Sequence, residues 1–473
     1  MRTYFLTLFT LLQFVLPIHA QQTDWVYSNG GHRMDYVFDV KSDLQGNTYV
    51  SGMNSPFATY GNTTYSNYGH YLIKLDSAGN LLWKNYAYIN MFTEEILIDS
   101  NGDIIMIGRY NTLPSVAMQL INYSNYTMIR KFDSNGNLLS HTVLSNLIPG
   151  EIVTNGAALD TNDNLYLTGY FLDDINFDGS ATAVGQDYFI LKLDHAMNPV
   201  WMKKGGGAGS DLGVEIKYHN NALYVICNTS SKNPMQFGQF SYHDNGFDEW
   251  SSFLLKYDLN GNVEWLNGKI IHSGQSNVVA QSLDISPTGA IYIGGFVEQN
   301  VIFEPNVHLN ASKSTYIARF DNNGNALWAK NLKNTITDNY RIAIRSDSND
   351  NVYFTTNFEN SQTTPTYTLT SSGLTDITWS KYNAIGYPQW GRKAGGSRKD
   401  FGSSIDLDQN NHLLVGGSYL GMDVYFDNIY VPTHDDDSLS PTSLESDFFA
   451  AKISNILPDT CPIDSVFIYK IYL

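Results

Sequence analysis

The chain has 473 residues, of which 14% are aromatic and only 16% are charged. Its formal net charge of −18 repels phosphate backbones, which argues against nucleic acid as a partner. The two cysteines, Cys227 and Cys461, are too few for a disulfide scaffold. Cys227 closes an apolar strand run and is predicted to be a buried thiol. A bond between the two would need the tail to fold back.

Residues 1–20 have the pattern of a signal peptide. Arg2 supplies the positive end, residues 4–15 are mostly apolar, and Ala20 offers a small residue for cleavage before Gln21. The segment is too short to remain in a membrane as a spanning helix. Gln21 is also not the Cys that a bacterial lipid anchor requires. We therefore predict a secreted or extracytoplasmic protein, in the periplasm or at the cell surface, without a transmembrane segment.

After the signal peptide, two short patterns alternate along the chain. The first is an apolar run, then Asp-x-x-Gly-Asn or a variant, then a second apolar run. Asp and Asn bond their own backbone while Gly accepts a positive φ, so the pattern is typical of a tight hairpin turn. It occurs seven times, starting at Asp43, Asp99, Asp160, His219, Asp284, Asp347 and Asp408.

The second pattern contains Lys or Arg, then a similar turn, then Trp. Its copies run from Lys74 to Trp83, Lys131 to Ser140, Lys192 to Trp201, Lys256 to Trp265, Arg319 to Trp328 and Lys381 to Trp390. A seventh copy begins at Lys452 and lacks its Trp half. The missing half stands at the other end, where Trp25 precedes Gly30, Gly31 and Asp35, in the order found again after Trp201 and Trp390.

The repeat of about 60 residues reads as four strands, A to D, which in the first unit cover 36–41, 47–52, 71–75 and 81–86. Seven such units predict an all-β fold, a seven-bladed β-propeller with four-stranded antiparallel blades. The N-terminal strand around Trp25 is predicted to close the last blade. The predicted organisation is a signal peptide at 1–20, the propeller at 21–454 and a short C-terminal tail at 455–473.

The repeats resemble the bacterial β-propeller repeats called SBBP. The second half of that pattern is matched by Asp187-Tyr-Phe-Ile-Leu-Lys192 and by Asp447-Phe-Phe-Ala-Ala-Lys452, whereas Ser251 replaces the first Asp before Lys256. The resemblance implies an exported protein of Bacteroidota, a propeller fold and no fixed activity. Such proteins often carry a C-terminal type IX sorting domain. The tail at 455–473 is too short for one, which leaves a truncated tail or another export route as alternatives.

Several motifs are assigned to structure and not to chemistry. Asp133 to Asn137 spaces oxygens like a calcium loop but lacks the distal Glu, so a hairpin turn is predicted. The Lys or Arg of strand C is predicted to pair with an Asp of its own blade. The Trp of strand D is similar to the docking Trp of quinoprotein propellers, which is structural there. His434 to Asp437 could hold a divalent cation, but a solvated acidic loop is favoured.

The sequence contains no recognisable combination of catalytic residues. Gly205 to Gly209 resembles a phosphate cradle but lacks the following Lys-Ser/Thr and helix. We therefore predict no cofactor and no metal, and we favour a non-catalytic binding or adhesion module over an enzyme. The alternative is an extracellular polysaccharide lyase or hydrolase, because propeller enzymes assemble their sites from several blades.

The protein is predicted to be a monomer. Its ligand, a glycan or a protein, is predicted to bind on the face formed by the B-to-C and D-to-A connections. The B-to-C connections are long and dissimilar, and variable loops on a fixed scaffold commonly carry function. They contain Tyr beside Asn and Asp, which suits sugar or protein surfaces. The predicted ligand-binding residues are Tyr60, Tyr65, Tyr68, Tyr123, Tyr126, Tyr242 and Asp244. Parts of these connections are expected to extend strands B and C and to bury Phe177, Phe237, Phe303 and Phe426.

Overall fold

The computed structural model describes residues 20–60, 62–87, 90–111, 126–172, 174–178, 180–181, 185–230, 235–242, 250–272, 277–332, 341–420, 423–434 and 446–456. Apart from one short 3-10 turn at Leu144–Asn146, the regular structure in these ranges is all β. The strands form seven antiparallel blades, each with a core of four strands. The predicted seven-bladed propeller is confirmed.

The strands follow the repeat. The first, β1, covers Ala20–Asn29. Blade 1 contains, from A to D, β2 Tyr36–Ser42, β3 Thr48–Asn54, β6 Gly69–Leu75 and β7 Leu81–Ala87, with the hairpin β4 Ala58–Tyr60 and β5 Thr63–Tyr65 between B and C. Blade 2 contains β8 Asn90–Ile98, β9 Ile104–Asn111, β10 Tyr126–Phe132 and β11 Leu138–Val143. Blade 3 contains β12 Ile152–Leu159, β13 Leu165–Phe171, β16 Asp187–Leu193 and β17 Pro199–Gly206, with β14 Ile175–Asn176 and β15 Ser180–Ala181.

The remaining blades keep this order. Blade 4 contains β18 Asp211–His219, β19 Ala222–Thr229, β22 Ser251–Asp258 and β23 Val263–His272, with β20 Met235–Phe237 and β21 Phe240–Tyr242. Blade 5 contains β24 Val278–Ile285, β25 Ile291–Val297, β28 Ser314–Phe320 and β29 Ala326–Asn331, with β26 Val301–Phe303 and β27 Val307–Leu309. Blade 6 contains β30 Ile342–Ser346, β31 Val352–Phe358, β34 Asp376–Tyr382 and β35 Pro388–Gly395, with β32 Ser361–Thr363 and β33 Thr368–Thr370. Blade 7 contains β36 Asp400–Leu407, β37 Leu413–Leu420 and β40 Ser446–Ile456, with β38 Val424–Phe426 and β39 Ile429–Val431.

The ring is closed by the first strand. β1 pairs antiparallel with β40, placing Trp25 opposite Lys452 and Tyr27 opposite Ala450, so β1 is strand D of blade 7. Each strand A also contacts strand A of both neighbouring blades, all the way around the ring. The A strands therefore line the central axis, and the predicted closure is confirmed.

The B-to-C hairpins join neighbouring blades. β20, β26 and β38 each pair with strand D of the preceding blade, through Gly205–Phe237, Ile270–Phe303 and Ala394–Phe426. These three Phe side chains are buried, as expected. The expectation that the connections extend strands B and C of their own blade is wrong for them. The outer edge of the preceding blade offers unpaired backbone groups, and the hairpin satisfies those groups there.

The Asp-x-x-Gly-Asn segments are hairpin turns. Asp133 Oδ1 accepts the backbone N–H groups of Asn135 and Asn137 at 2.9 and 2.8 Å, and Asn137 Nδ2 donates to Asp133 Oδ2 at 2.8 Å. Gly136 has φ of 84°, a conformation that side chains with a Cβ rarely adopt. The carboxylate is thus held by its own turn, as the hairpin interpretation predicts.

Most of the strand C cations pair within their own blade. Lys74, Lys131, Lys381 and Lys452 pair with the turn carboxylates of Asp43, Asp99, Asp347 and Asp408, at Nζ–Oδ2 distances of 3.7, 2.7, 3.6 and 2.8 Å. The intra-blade prediction is confirmed for these four. It is wrong for Arg319, because Asp350 of the next blade lies 2.7 Å from its Nη2. Lys256 pairs with Glu264 of its own strand D at 2.9 Å, in place of an Asp.

Four strand D Trp residues join their blade to the next. The rings of Trp25, Trp83, Trp201 and Trp328 lie against a glycine in the next C-to-D turn, respectively Gly79, Gly136, Gly261 and Gly386. The indole Nε1 of Trp83 donates to the backbone O of Ser134 at 3.0 Å, and Trp328 donates to Ala384 O at 2.9 Å. The glycine of the repeat is therefore needed twice, for its positive φ and for the space that the ring fills.

Two glycines allow the requirement for a positive φ to be tested separately from the requirement for space beside the Trp ring. Gly136 and Gly102 have φ of 84° and 80°, but a Cβ on Gly136 would lie 2.7 Å from the Trp83 ring, whereas one on Gly102 would meet nothing within 4 Å. We expect Gly102→Ala to lower the free energy of unfolding by about 1 kcal/mol, the cost of a left-handed alanine. Gly136→Ala should lose about 2 to 3 kcal/mol, because the ring must also move. Urea unfolding measures both, and equal losses would contradict the contact.

Candidate functional site

The innermost strands carry a repeated irregularity. In six of the seven A strands the pairing with strand B shifts by one residue, which is the pattern of a β-bulge. Each extra residue is partly exposed although the residues on both sides of it are buried. Because the A strands surround the axis, this exposure faces the central channel. The six residues are Phe38, Glu94, Asn155, Val214, Gln281 and Ser403.

Buried and partly buried carboxylates reach from one A strand to the next around the axis. Each accepts a backbone N–H of the following blade, which has no further strand to pair with on that side. Asp39 Oδ2 accepts Ile96 N at 2.7 Å, and Asp406 Oδ2 accepts Ser42 N at 2.8 Å. The same contact joins Glu215 to Leu283 at 2.5 Å and Asp284 to Ser346 at 2.6 Å. These carboxylates connect the blades.

Cations compensate this ring of carboxylates. Lys217 Nζ lies 2.6 Å from Glu215 Oε1 and 3.3 Å from Glu95 Oε1, and Arg345 Nε lies 3.2 Å from Asp406 Oδ1. Burial alone would lower the pKa of Lys217 and of Arg345, but the surrounding carboxylates raise both. We call this set, completed by Lys41 and Asp39, the axial network. Burial and the Glu95 charge raise the pKa of Asp39 to about 6.

Aromatic and charged side chains lie at the end of the central axis where the A strands of blades 1 and 2 begin. The rings of Tyr36 and Phe38 are nearly parallel, with centroids 6.4 Å apart, and Phe92 lies 5.5 Å from Phe38. Arg109 Nε lies 2.5 Å from Glu94 Oε1. We call this group, with Arg341, the channel mouth. Its strand A members lie where the A strands begin, so it opens on the face of the B-to-C and D-to-A connections.

Arg341 acts across the channel mouth. It belongs to blade 6, yet its charge lowers the pKa of Tyr36 in blade 1 and of Glu94 in blade 2, opposing burial, which raises both. Its side chain is exposed, while the other members of the mouth are partly buried. The mouth therefore combines aromatic faces, a carboxyl and an exposed guanidinium that come from three different blades.

The predicted ligand-binding residues lie in different environments. Tyr60 is buried against Tyr71, and its hydroxyl donates to Asn54, so the expectation that it is exposed is wrong. Tyr65 stacks on Tyr86 with centroids 3.9 Å apart. The hairpin β4–β5 folds back over its own blade and places both residues at the rim, away from the channel.

The other predicted residues divide into three groups. Tyr68 is partly exposed and close enough to Tyr36 to affect its pKa, which places it near the channel mouth. Tyr126 and Tyr242 are partly exposed, and Tyr242 packs edge-on against Phe253 at 5.0 Å. Tyr123 and Asp244 lie outside the described residues. Of the predicted set, the structure brings only Tyr68 towards the mouth.

Sequence analysis missed the channel mouth itself. Phe38 and Glu94 stand five residues before the turn aspartates Asp43 and Asp99, the same repeat position at which Asn155 and Ser403 occur. The channel mouth could have been predicted from Phe38 and Glu94, because each is a bulky or charged side chain at one fixed position of an otherwise apolar strand. Arg341 has no such signal, because only the ring closure brings it opposite blade 2.

A second concavity lies on the opposite face, between blades 5 and 6. It has a volume of about 390 Å³ and includes Arg319, Asp321, Asn322 and Asp350 in its lining. Asp350 already accepts hydrogen bonds from Ser286 and Thr288 and pairs with Arg319. Its charges thus hold neighbouring turns together.

Two absences hold for the part of the chain that the structure describes. There, no group of three or more His, Cys, Asp and Glu side chains is arranged to hold a metal ion. No helix in that part is long and apolar enough to cross a membrane. The acidic run at His434 lies mostly outside the described residues, as does Cys461, while Cys227 is buried and free.

Comparisons with known proteins find distant similarities. No family model matches the chain. An uncharacterized WD repeat-containing protein of Acanthamoeba polyphaga mimivirus is 23% identical over 441 residues, covering 76% of this chain and 32% of the relative. The chain thus spans about a third of that relative's length. The SBBP assignment and the Bacteroidota origin stay predictions.

Solved structures with a similar chain trace include a Dyadobacter fermentans protein of unknown function, with a TM-score of 0.44 and 10% identity over 92% of this chain and 99% of that one. A PL25 ulvan lyase bound to its saccharide has a TM-score of 0.47 and 13% identity, covering 82% and 93%. A streptogramin B lyase has a TM-score of 0.44 and 11% identity, covering 91% and 98%.

Proposed function

We propose that this chain is an extracytoplasmic, monomeric and non-catalytic binding propeller, whose ligand, a glycan or a protein, sits over the channel mouth. The observation that carries the proposal is the group of partly exposed Tyr36, Phe38 and Phe92 rings beside the exposed Arg341. Aromatic faces stack on the apolar faces of sugars and on protein side chains, and a guanidinium binds carboxyl or hydroxyl oxygens. The localisation rests on the signal-peptide pattern at 1–20, and mature protein purified from outside the cytoplasm should begin at Gln21.

The axial network supports binding over catalysis. Its carboxylates converge near the axis, where a propeller enzyme could place catalytic groups. Asp39, Glu215, Asp284 and Asp406 each accept a backbone N–H from the next blade, and Glu95 pairs with Lys217. A carboxylate that holds two blades together cannot move to exchange protons with a substrate at little cost.

One observation favours the enzyme alternative. The Glu94 carboxyl, whose pKa is raised by burial, lies beside Arg109 and shares the mouth with the Tyr36 hydroxyl. A carboxyl, a phenol and two guanidinium groups could exchange a proton with a sugar and stabilise its negative charge. An extracellular polysaccharide lyase or hydrolase is therefore the second candidate.

The test uses purified full-length mature protein, screened against immobilised glycans, host-surface proteins and soluble polysaccharides. For the ligand found, we expect Phe38→Ala and Arg341→Ala each to weaken binding at least about tenfold, because each removes a central contact. Asn322→Ala, in the concavity of the opposite face, is the control and should stay within about twofold.

Three outcomes would change the assignment. Loss of binding in Asn322→Ala with full binding by both mouth variants would move the site to the opposite face. Retention of binding in all three variants would remove the channel mouth from the proposal. Release of oligosaccharide products, abolished by Glu94→Gln, would establish the enzyme alternative.

A further inference from the structure

Three of the seven blade junctions share a backbone feature. At these junctions a residue before strand C of one blade forms a parallel bridge with a residue before strand A of the next blade. The pairs are Gln186 with Ser210, Thr375 with Lys399, and Ser446 with Met34. The bridges join blade 3 to 4, blade 6 to 7 and blade 7 to 1.

Each bridge is followed by an aspartate on both strands. Asp187 and Asp211, Asp376 and Asp400, and Asp447 and Asp35 are thereby placed side by side, and all six are buried. The second Asp of each pair donates its backbone N–H to the bridge residue of the other strand, at 2.7, 2.8 and 2.8 Å. The three pairs are therefore built by the same backbone geometry.

A glycine completes each site, five residues before the second aspartate. A Cβ on Gly395 would lie 2.7 Å from Asp376 Oδ1 and 2.9 Å from Asp400 Oδ2, so both carboxyls occupy the space that a side chain would need. A Cβ on Gly30 or Gly206 would also overlap a carboxyl of its own pair. The following glycine donates its N–H to the second aspartate at 2.8 Å in all three cases.

At six of the junctions the two aspartates occur together or not at all. At three other junctions the same two positions carry Gly69 with Met91, Tyr126 with Ile152, and Ser251 with Val278. No carboxylate stands alone at either position of these junctions. Burying two like charges side by side is costly. The joint occurrence of the aspartates therefore indicates that one charge of each pair is neutralised.

The charge balance at blades 6 and 7 indicates what neutralises the pair. Lys393 Nζ lies 2.7 Å from Asp376 Oδ2, which compensates one carboxylate and leaves one buried negative charge. Asp376 Oδ1 is buried and accepts no hydrogen bond from the described residues. A proton on Asp400 would remove the excess charge and supply the missing donor. Lys204 holds the corresponding place beside Asp187, at 3.4 Å.

We infer that each of these three junctions holds one proton shared between its two aspartates, and that the pairs form a latch that is strengthened by acid. Two of the three pairs flank blade 7, the blade that closes the ring. Burial raises the pKa of Asp400 to about 8 and that of Asp35 to about 7, although backbone hydrogen bonds lower them. Like charges that share one site cannot both ionise easily, which agrees with one retained proton per pair.

The other titratable groups near the pairs respond differently. His434 donates its backbone N–H to Asp447 at 2.7 Å, and burial lowers the pKa of its imidazole, so its effect on stability has the opposite sign. Lys393 faces Asp400, and Cys227 is close to Asp211. The charge of Asp35 adds to the rise in the pKa of Tyr60 and of Tyr71. Burial raises the pKa of Cys227, Tyr60 and Tyr71 well above their ordinary values, so these three stay neutral around pH 7.

The sign of the pH dependence follows from proton binding. The folded protein keeps protons on the pairs that the unfolded chain releases above about pH 4. Between about pH 4 and 8 the folded pairs therefore bind more protons than the unfolded chain, and their contribution to stability falls as the pH rises, levelling off above the folded pKa of Asp400, about 8. Burial lowers the pKa of His70 to about 3, so this imidazole acts in the opposite direction below about pH 6.5. The hairpin turn aspartates do not contribute there, because hydrogen bonds lower the pKa of Asp133 and Asp194.

The experiment compares thermal unfolding of the full-length protein at pH 5.5 and pH 8.5. The midpoint should be lower at pH 8.5, and Asp400→Asn should clearly reduce this difference, because an asparagine side chain stays neutral at both pH values and one of three pairs no longer titrates. Asp194→Asn, the same change in an exposed turn, is the control and should leave the difference unchanged. Infrared spectra at pH 6 should also show protonated carboxyl groups, with one fewer in Asp400→Asn.

Two results would overturn the inference. One is a set of infrared spectra without protonated carboxyl groups at pH 6, which does not depend on how stable the variant is. The other is a rise of the wild-type midpoint on adding calcium chloride that disappears in Asp400→Asn, which would show that a bound cation and not a proton neutralises the pair.

Discussion

A chain that lacks residues 21–31 is expected to lose at least about 5 kcal/mol of its free energy of unfolding. The deletion removes strand D of blade 7 and leaves the edge of β40 without its partner. It also removes the Trp25 ring from Gly79 and its hydrogen bond to Ser77 O. Deleting a large buried aromatic side chain alone costs about 3 to 5 kcal/mol, and the unpaired backbone groups add to that loss.

The measurement is chemical and thermal unfolding, followed by circular dichroism. The matched control is Asp24→Ala in the same strand, because Asp24 is exposed and accepts a surface hydrogen bond from Ser454. That variant should change the free energy of unfolding by less than about 0.5 kcal/mol. A deletion that melted at the wild-type temperature would contradict the closure by β1.

Arg345→Met is expected to cost about 3 to 5 kcal/mol of stability. Arg345 donates to Asp406 at 3.2 Å, and the charges of Asp284, Glu95 and Glu215 also act on it. Methionine fills a similar volume without the charge, so these buried carboxylates would lose their compensation. Removing one partner of a buried ionic network costs more than the network contributed, because the remaining charges stay buried and unpaired.

The pH dependence distinguishes this cause from simple loss of packing. Carboxylates that have lost a cation hold protons more readily in the folded state, so the deficit of Arg345→Met should be smaller at pH 5 than at pH 8. Lys203→Met is the control, since Lys203 forms a largely exposed pair with Asp178 at 2.7 Å and should cost no more than about 1 kcal/mol. An equal deficit at both pH values would indicate packing alone.

The fold could be predicted from the sequence because its signals repeat. The turn at Asp133 and the Trp at Trp83 recur at fixed spacing, and each copy has a local physical reason. The last repeat lacks a Trp strand after Lys452, and an extra Trp strand stands at Trp25. Pairing these two ends closes the ring. The pairing of Lys131 with Asp99 follows from the same regularity, since both positions lie in one blade.

The site could not be predicted in the same way, because the contacts that form it do not repeat. Tyr60 appeared exposed as a loop residue, yet its hairpin folds against Tyr71 and buries it. Phe38 reaches the channel through a bulge, which shifts the alternation that sequence patterns rely on. Arg341 meets the charge of Glu94 only because the ring brings distant parts of the chain together.

The closure by β1 also fixes an order of events during folding. Of the strands in the ring, β1 is synthesised first and its partner β40 last, and the bonded residues Asp24 and Ser454 are 430 positions apart. Such a distant contact is formed late, because the entropic cost of joining chain ends grows with the length of the loop between them. Until then two strand edges are open to other chains. A chaperone that covered β1 alone would protect the most vulnerable edge of the nascent protein.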